Sequence, residues 1–376
     1  MKLTYEDDIS INPLEYYMSE CFELAKKALG KTSPNPAVGA IVLNKDGLVI
    51  GKGFHLKAGS EHAEVMAIRE AGKNADNGTL IINLEPCCHM GKTLPCTDLI
   101  IKSGIKEVVF SNYDPNPLVN KKSEKILREN KINVISGVLE SEGNELNKFF
   151  FKWIRNKLPW ITLKQAQTLD GKIALQNKKS RWISGEVSRG KVHELRNIYD
   201  AVMVGANTVN VDNPELTVRE LEGGRNPIRI ILDKDLVTSP KSKVFEKNSD
   251  VFLITKSGHD KKKLNEYLKD AVNIFEFGED KDGELDLKAI FLELGKRNIL
   301  SIFIEAGPGL ASELIKNKLI DEYVLFISPM IFGNKTSIPT FNLNEIENIN
   351  EAYQFGLFDY KKTGNDLMLV LRPNFN

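Results

Sequence analysis

The sequence lacks any long apolar run. No stretch of about 18 consecutive apolar residues occurs in its 376 residues, so no transmembrane helix is predicted. The first ten residues are polar and acidic, without the apolar segment that a secretory signal peptide requires. We therefore expect a cytoplasmic protein that does not act at a membrane.

The sequence also lacks an excess of positive or of negative charge. Lysine and arginine together number 51, and aspartate and glutamate together also number 51. A protein that binds nucleic acid generally carries a basic surface, which this balance does not favour. Nothing in the composition favours a polyanionic partner or a membrane surface.

Cysteine is scarce, and its distribution is uneven. Of the four cysteines in the chain, Cys87, Cys88 and Cys96 fall in one short segment. Four cysteines, three of them clustered near a histidine, favour a metal site in a reducing compartment over a disulfide framework.

This segment reads Glu-Pro-Cys-Cys-His-Met-Gly-Lys-Thr-Leu-Pro-Cys over residues 85–96, and His62-Ala63-Glu64 precedes it. A catalytic Zn²⁺ takes three protein ligands and leaves one position for water. His-x-Glu followed by Pro-Cys-x-x-Cys is the signature of zinc deaminases, in which the glutamate moves protons and does not bind the metal. We predict that His62, Cys87 and Cys96 bind zinc and that Glu64 is catalytic.

The spacing of the cysteines departs from the usual signature. Met90 occupies the place of the second cysteine, so Cys96 is the next sulfur available, and Cys88 is interpreted as a spectator. A closed structural zinc site with Cys88 or His89 as fourth ligand is an alternative. That alternative does not account for Glu64.

Length and pattern predict two α/β domains. A chain of this size typically forms about two domains, and strands alternate with helices throughout. We place an extension at residues 1–13, a first domain at 14–156 and a second at 157–376, with Lys157-Leu158-Pro159 at the boundary. Within them we expect helices capped by Ser60 and by Ser184, and one continuous helix over 139–156.

The second domain contains a strand followed by glycines and a helix. The strand over 301–304 ends at Glu305-Ala306-Gly307-Pro308-Gly309-Leu310, and we expect a helix from about residue 311. Such a turn lets a phosphate approach the backbone N–H groups of a helix N-terminus, although alone it is a weak signal. Lys164, inside a predicted strand, would be costly there without a partner, which favours a functional role.

The longer cysteine loop, Pro-Cys-x-His-x-Gly-Lys-Thr-x-Pro-Cys, resembles the deaminase domain of the bacterial bifunctional riboflavin-biosynthesis deaminase/reductase. The tRNA, cytidine and guanine deaminases keep the shorter spacing. Segments at 163–172, 205–209, 212–219 and 305–308 resemble the reductase domain of the same family. The resemblance runs from about residue 15 to near the C-terminus.

The resemblance implies a cytidine-deaminase-like α/β/α layer followed by a dihydrofolate-reductase-like α/β domain. It implies zinc-dependent deamination of a diaminopyrimidinone ribosyl phosphate and then NADPH-dependent reduction of the resulting uracil derivative. It also implies that the protein is a homo-oligomer.

Residue roles follow the matching motifs. In the first domain, the residues expected at the substrate are Asn35, His55, His89 and Lys92, with Lys92 at its phosphate. In the second, those expected at the substrate are Ser180, Arg196, Leu216, Arg219 and Glu305, and those expected at NADPH are Ala166, Trp182, Thr208, Asp212, Gly307, Pro308, Gly309 and Leu310. Two arginines suit a phosphate because each offers a planar fork of donors, and Lys164 and Glu305 are the candidates for proton transfer.

Two further alternatives stay open. One is a nucleic-acid-editing deaminase with an accessory binding domain. The other keeps the deaminase but makes the second domain a binding module without catalysis, against which the presence of Lys164, Asp212, Arg219 and Glu305 argues.

Overall fold

A computed structural model describes residues 12–90, 94–177, 182–219, 221–246 and 249–375. The chain forms two compact units, Met1–Asn156 and Lys157–Asn376. Within the described ranges, each helix is too short or too polar to cross a membrane.

The first unit contains six α-helices and five strands among its described residues. They are α1 (Pro13–Lys26), β1 (Gly39–Leu43), β2 (Val49–Phe54), α2 (Ala63–Ala71), β3 (Thr79–Leu84), α3 (Cys96–Lys102), β4 (Glu107–Asn112), α4 (Lys122–Glu129), β5 (Asn133–Ser136), α5 (Glu140–Leu146) and α6 (Lys148–Asn156). The strand order is β2-β1-β3-β4-β5. β1 is antiparallel to both of its neighbours, whereas β3, β4 and β5 are parallel.

Helices cover both faces of this sheet. Ala40 and Val42 pack with side chains of α2, α3 and α4, whereas Ile41 and Leu43 pack with side chains of α1. Successive strand residues point to opposite faces, so every residue of β1 is buried. The predicted α/β/α layering is therefore present.

Two glycines of β2 allow α2 to lie close to the sheet. A Cβ atom at Gly51 would come within 2.1 Å of the carbonyl oxygen of Ala67, and one at Gly53 within 2.3 Å of that of Ala63. Ala63 is the first residue of α2. The absence of side chains at these two glycines thus determines how close the start of α2 lies to the sheet.

Several predicted ends of helices in the first unit were wrong. α1 begins at Pro13, inside the predicted extension, because Asn12 caps it with its side chain. His62, and not Ser60, is the N-cap of α2, since the Ser60 hydroxyl bonds the backbone of Lys57 instead. The helix expected over 139–156 is broken at Asn147, whose side chain bonds the backbone N–H and carbonyl of Ala37.

The second unit contains five α-helices and eleven strands among its described residues. They are β6 (Trp160–Thr168), β7 (Lys172–Ala174), α7 (Glu186–Ile198), β8 (Ala201–Gly205), α8 (Ala206–Asp212), β9 (Ile228–Leu232), β10 (Val251–Lys256), α9 (Lys261–Asn265), β11 (Val272–Phe277), α10 (Leu287–Lys296), β12 (Ser301–Glu305), α11 (Pro308–Lys316), β13 (Glu322–Ser328), β14 (Ile338–Pro339), β15 (Phe355–Thr363) and β16 (Asp366–Pro373).

Nine of these strands form one mixed sheet in the order β11-β10-β9-β8-β12-β6-β13-β16-β15, and β7 pairs with β14. The strands from β11 to β13 in this order are parallel, and β16 and β15 are antiparallel. α10 and α11 pack on one face through Ile290, Phe291 and Leu314. In parallel sheets the carboxyl ends of the strands share one edge, where ligands usually bind.

Two predicted helix starts in the second unit were also wrong. Gly185 is the N-cap of α7, and Ser184 is not. The buried carboxylate of Asp366 accepts hydrogen bonds from the N–H of Gly185 and the hydroxyl of Ser188, and so anchors the helix start. α11 begins at Pro308, because proline fits the first turn of a helix and needs no N–H partner there.

Candidate active sites

Three side chains converge in the first unit as a metal site would require. The ligand atoms of His62, Cys87 and Cys96 all lie within 4.8 Å of one another. His62 Nδ1 is 3.2 Å from Cys96 Sγ and 3.6 Å from Cys87 Sγ. One imidazole and two sulfurs fit a catalytic zinc ion, which takes three protein ligands.

The surrounding elements hold the three ligands in place. His62 precedes α2 and Cys96 opens α3, while Cys87 follows β3 in a short segment. The backbone N–H of Thr97 donates to the carbonyl of Cys87, and that of Cys96 to its sulfur. A hydrogen bond from the Cys96 thiol, and also His62, lower the pKa of Cys87, which favours the thiolate that binds metal.

Glu64 lies in the first turn of α2, two residues after His62, and only 4% of its surface is exposed. Burial raises the pKa of this carboxyl group, and the nearby Cys87 adds to the effect. A carboxylate that transfers protons in catalysis must lie close to the reacting groups. Glu64 meets this requirement, because it is buried beside the three candidate metal ligands.

Asn35 and His55 form a pair in the same unit. The Asn35 amide nitrogen lies 3.1 Å from His55 Nε2, and His55 Nδ1 lies 3.0 Å from the carbonyl of Glu61. The carbonyl can only accept, so Nδ1 carries the proton and Nε2 accepts from Asn35. Burial also lowers the pKa of His55, and the neutral ring orients the Asn35 side chain.

The structure describes some, but not all, of the other residues predicted for this site. Cys88 points away from the cluster, with its sulfur 3.6 Å from the carbonyl of Leu118. Among the described residues, the cluster of potential ligands comprises three side chains and includes neither Cys88 nor His89. His89 is half-buried in the loop after Cys87. Lys92, predicted at the substrate phosphate, lies outside the described residues.

Two buried carboxyl groups near this loop were missed. Glu85 follows β3 and Asp114 follows the neighbouring parallel strand β4, so both lie at one sheet edge. Burial raises the pKa of Glu85 to about 7 and that of Asp114 to about 6. The Glu85 carboxylate accepts from the N–H groups of Asp114 and Lys121. Their shared position after neighbouring strands was the signal that could have found them.

A cavity of about 740 Å³ opens in the second unit. Its lining brings together eleven of the residues predicted for this unit: Lys164, Ala166, Trp182, Arg196, Thr208, Asp212, Leu216, Arg219, Glu305, Gly307 and Pro308. Gly309 and Leu310 are not among the lining residues, and Leu310 packs against the core instead. Ser180 lies outside the described residues.

Arg196 and Glu305 form a bidentate ion pair at the cavity. Arg196 Nε and Nη2 donate to the two carboxylate oxygens of Glu305 at 2.6 and 3.0 Å, and Nη1 donates to the carbonyl of Thr217 at 3.1 Å. All three nitrogens of the guanidinium are thus engaged with the protein. The pair holds the Glu305 carboxylate in position, and the role of Arg196 at the substrate stays a prediction.

Lys164 lies beside this pair. It is the register partner of Glu305 on neighbouring parallel strands, and its Nζ is 5.8 Å from the centre of the Phe326 ring. Burial lowers the pKa of Lys164. Burial alone would raise the pKa of Glu305, but Arg196 and Lys164 outweigh it and hold that pKa below its usual range.

Three basic residues that line the cavity were missed by sequence reasoning. Arg189 lies two turns and His193 one turn before Arg196 on the same face of α7, a spacing that could have revealed them. The Arg189 guanidinium lies 4.3 Å from the centre of the Trp182 ring. Lys243 lies far away in sequence, and no local signal indicated it.

Two protein families match the chain. Residues 11–112 match the cytidine and deoxycytidylate deaminase zinc-binding region, and residues 159–369 match the RibD C-terminal domain. The first range contains all three candidate zinc ligands and Glu64, and the second contains the cavity residues.

Similar proteins match over nearly the whole chain. The riboflavin biosynthesis protein RibD of Aquifex aeolicus is 41% identical over 95% of this chain and 97% of its own length, and that of Escherichia coli is 36% identical over 95% and 98%. The structure of a diaminohydroxyphosphoribosylaminopyrimidine deaminase/5-amino-6-(5-phosphoribosylamino)uracil reductase from Thermotoga maritima has a TM-score of 0.86 and 40% identity, covering 96% of this chain and 99% of that one. A RibD structure from Acinetobacter baumannii has a TM-score of 0.87 and 34% identity over the same shares.

Proposed function

Because the chain belongs to the RibD family of bifunctional riboflavin biosynthesis proteins, a zinc-binding deaminase domain joined to a reductase domain, we propose the following two reactions. The first unit hydrolyses 2,5-diamino-6-(5-phosphoribosylamino)pyrimidin-4-one to the corresponding uracil and ammonia. The second reduces 5-amino-6-(5-phosphoribosylamino)uracil to its ribitylamino product. The convergence of His62, Cys87 and Cys96 beside Glu64 is the observation that carries this proposal.

In the first reaction, water adds to the ring carbon that bears the amino group, and ammonia leaves. His62, Cys87 and Cys96 would hold the zinc ion, which would lower the pKa of a water from ~16 to ~7. Glu64 accepts one proton from the water and passes it to the ring nitrogen, and it then moves the remaining hydroxyl proton to the amine, which leaves as ammonia. Asn35, held in place by His55, orients the pyrimidine ring, and His89 and Lys92 contact the substrate.

In the second reaction, the open-chain imine carbon of the sugar gains a hydride and the nitrogen gains a proton. The reductase domain implies a nicotinamide cofactor, and NADPH is the form that we propose supplies the hydride. Lys164 is the proton donor, since burial makes its proton easier to lose. Arg196 keeps Glu305 ionised beside Lys164.

The other cavity residues divide between the two ligands. We assign Ala166, Trp182, Thr208, Asp212, Gly307 and Pro308 to the cofactor, and Arg196, Leu216, Arg219 and Glu305 to the substrate. Leu216 is buried with a φ of +55°, a left-handed backbone that is rare for a large side chain and concentrates at functional sites. The roles of Gly309, Leu310 and Ser180 rest on the sequence resemblance.

The same proposal covers the partners, the location and the assembly of the protein. Both substrates are small ribosyl phosphates, and neither reaction needs a nucleic acid or a membrane. We place the protein in the cytoplasm as a homo-oligomer.

Paired variants test whether each unit performs its own reaction. Glu64→Gln removes the proton carrier with little change in size, so ammonia release should fall by at least about 100-fold while reduction of supplied uracil intermediate continues. Lys164→Met should give the reverse pattern. Zinc content measured on each variant is the control, and loss of both activities in Glu64→Gln with zinc retained would contradict the assignment.

A further inference from the structure

A buried glutamine connects two segments that line the cavity of the second unit. Gln165 lies in β6 between Lys164 and Ala166, lines the cavity and is only 3% exposed. Its side-chain nitrogen Nε2 lies 3.2 Å from the carbonyl oxygen of Ala306 and 3.0 Å from that of Thr340. Carbonyl oxygens only accept hydrogen bonds, so the two N–H groups of the amide donate to them.

Tyr323 fixes the orientation of this amide. Its hydroxyl donates to Gln165 Oε1 at 2.9 Å, which leaves Nε2 facing the two carbonyls. Tyr323 is buried, and its ring packs against Phe341 and Phe355 with ring centres 5.9 Å apart in both contacts. The hydroxyl therefore has a fixed position, and the amide makes three of its four possible hydrogen bonds within the protein.

The first bond of the amide orients the turn between β12 and α11. The peptide bond between Ala306 and Gly307 is trans, so the carbonyl of Ala306 and the N–H of Gly307 point in opposite directions. Because Gln165 holds that carbonyl, it also sets the direction of the N–H. Gly307 lines the cavity and is the N-cap of α11, whose first turn offers N–H groups to an anion.

The second bond of the amide holds another lining segment. Thr340 is buried directly after β14, which pairs with β7. Ile173 and Ala174 of β7 and Ile338 of β14 line the cavity. Through Thr340, Gln165 thus ties this pair of strands to β6. One amide therefore fixes two lining segments relative to each other.

We propose that Gln165 and Tyr323 are positioning residues for the nicotinamide cofactor. Gln165 turns the Gly307 N–H toward a cofactor phosphate and keeps β7 and β14 in place beside that turn, and Tyr323 acts only through Gln165. The inference rests on the proposed reductase function and deepens it, because it adds two residues that set the affinity for the cofactor without contacting the reacting atoms.

The effect on affinity follows from pre-organisation. Without the amide, the carbonyls of Ala306 and Thr340 lose their shared donor, and the turn and the strand pair are no longer fixed to β6. The cofactor must then order both segments when it binds, and this cost weakens binding. A residue that only supported the fold would change the free energy of unfolding and leave the affinity of the folded protein unchanged.

Binding of NADPH to the full-length, zinc-loaded protein, measured by calorimetry, tests the proposal. Gln165→Leu removes both donors and the acceptor with little change in size, so the Kd for NADPH should rise about 5- to 10-fold. KM for NADPH should rise by the same factor, while kcat and KM for the ribosylaminouracil phosphate change less than about 2-fold. Tyr323→Phe leaves the amide free to turn over and should raise the Kd less, by about 2- to 5-fold.

The double variant separates one positioning unit from two independent structural roles. Because Tyr323 acts only through Gln165, adding Tyr323→Phe to Gln165→Leu should cause no further loss of NADPH affinity. Two effects that multiply in the double variant would overturn the proposal. Tyr323→Phe removes a single oxygen atom, so it tests the proposal even where Gln165→Leu does not fold.

Tyr267→Phe is the matched control. Tyr267 is buried in the same unit and its hydroxyl donates to the backbone carbonyl of Thr238, but it does not line the cavity. The variant should lower the free energy of unfolding as Tyr323→Phe does and leave the Kd for NADPH unchanged. Equal changes in Kd from the two tyrosine variants, or an unchanged Kd in Gln165→Leu, would overturn the proposal.

Kinetics separate a failure of this inference from a failure of the proposed function. A rise in KM for the ribosylaminouracil phosphate with KM for NADPH unchanged would refute the cofactor role of Gln165 and leave the reductase function standing. NADPH affinity that follows the variants in a protein that catalyses no reduction would refute the proposed function but support the role of Gln165 and Tyr323.

Discussion

The chemistry of Lys164 depends on three charged neighbours. Glu305 and Asp212 favour its ammonium form, whereas burial and Arg196 disfavour it, and the balance lowers its pKa. Because Arg196 binds Glu305 through two hydrogen bonds, the charge that faces Lys164 is fixed in position. A lysine in these surroundings gives up a proton more readily than one in water.

The lowered pKa of Lys164 predicts the pH dependence of the reductase. An ammonium donor acts only while protonated, so kcat/KM should fall as pH rises through the lowered pKa, below the ordinary lysine value of about 10.4. In Lys164→Arg the charge persists to above ~12. Its residual activity should therefore lack this alkaline decline.

Rates measured from pH 6 to pH 10 with saturating cofactor check this prediction. The deaminase rate of the same protein samples is the internal control. The same alkaline decline in wild type and Lys164→Arg would show that another group carries the proton.

Single residues also show what the sequence could and could not predict. His62, Cys87 and Cys96 were identifiable because zinc chemistry restricts the ligand types, and the structure brings them together. The sequence did not reveal that Arg196 is bound to Glu305, because that pair joins residues 109 positions apart. It did not reveal Lys243 either, which reaches the cavity only through the folded loops.

At the scale of elements, the position of α2 decides whether His62 and Glu64 meet the cysteines. Gly53 lies against the start of this helix, and a Cβ there would approach the carbonyl oxygen of Ala63 and Met66 Cβ. Backbone contacts this short cannot be relieved by turning a side chain, so the helix itself would have to shift.

Gly53→Ala should therefore weaken both the fold and the metal site. We expect a loss of about 1–3 kcal/mol in the free energy of unfolding from overpacking, together with weaker zinc binding and slower deamination. Chemical denaturation and competition for zinc with a chelator measure the two effects. Gly278→Ala is the control, because a Cβ at Gly278 would meet no atom within 4 Å beyond its chain neighbours and its φ is ordinary, and equal effects of both variants would refute this account.

Helices and strands were predictable where the hydrophobic periodicity of the sequence agrees with the burial of the side chains in the fold. The apolar runs over 37–43, 79–84 and 107–112 predict strands, and the buried strands β1, β3 and β4 lie within about two residues of these bounds. Helix starts were less predictable, since the atoms that end or begin a helix come from elsewhere in the fold. Asp366 at α7 and the Asn147 contact with Ala37 are two examples.

At the scale of the whole molecule, each unit has a core of its own. The cores of the first unit comprise residues from Met18 to Val134, and the large core of the second comprises residues from Ile161 to Leu325. Residues 1–156 and 157–376, expressed separately, should therefore each fold, with deaminase activity in the first and reductase activity in the second. Cooperative unfolding of the full-length chain in a single transition, with neither piece folding alone, would contradict this prediction.

The two-domain α/β organisation predicted from the sequence is confirmed. It was predictable because the order of strands and helices along the chain indicates it. The strand β11 and helix α9 were not predicted, because their short apolar stretches are interrupted by charged residues. Neither element reaches the cavity, so the function could be inferred without them.

The central claim is that one chain carries out two consecutive reactions, and one assay tests it. Zinc-loaded protein is supplied with the diaminopyrimidinone ribosyl phosphate, with and without NADPH, and the products are identified by mass spectrometry. We expect ammonia and the ribosylaminouracil phosphate without NADPH, and the ribitylamino product only when NADPH is added. Zinc-loaded protein that releases no ammonia, or a reduced product that forms without prior deamination, would contradict the account.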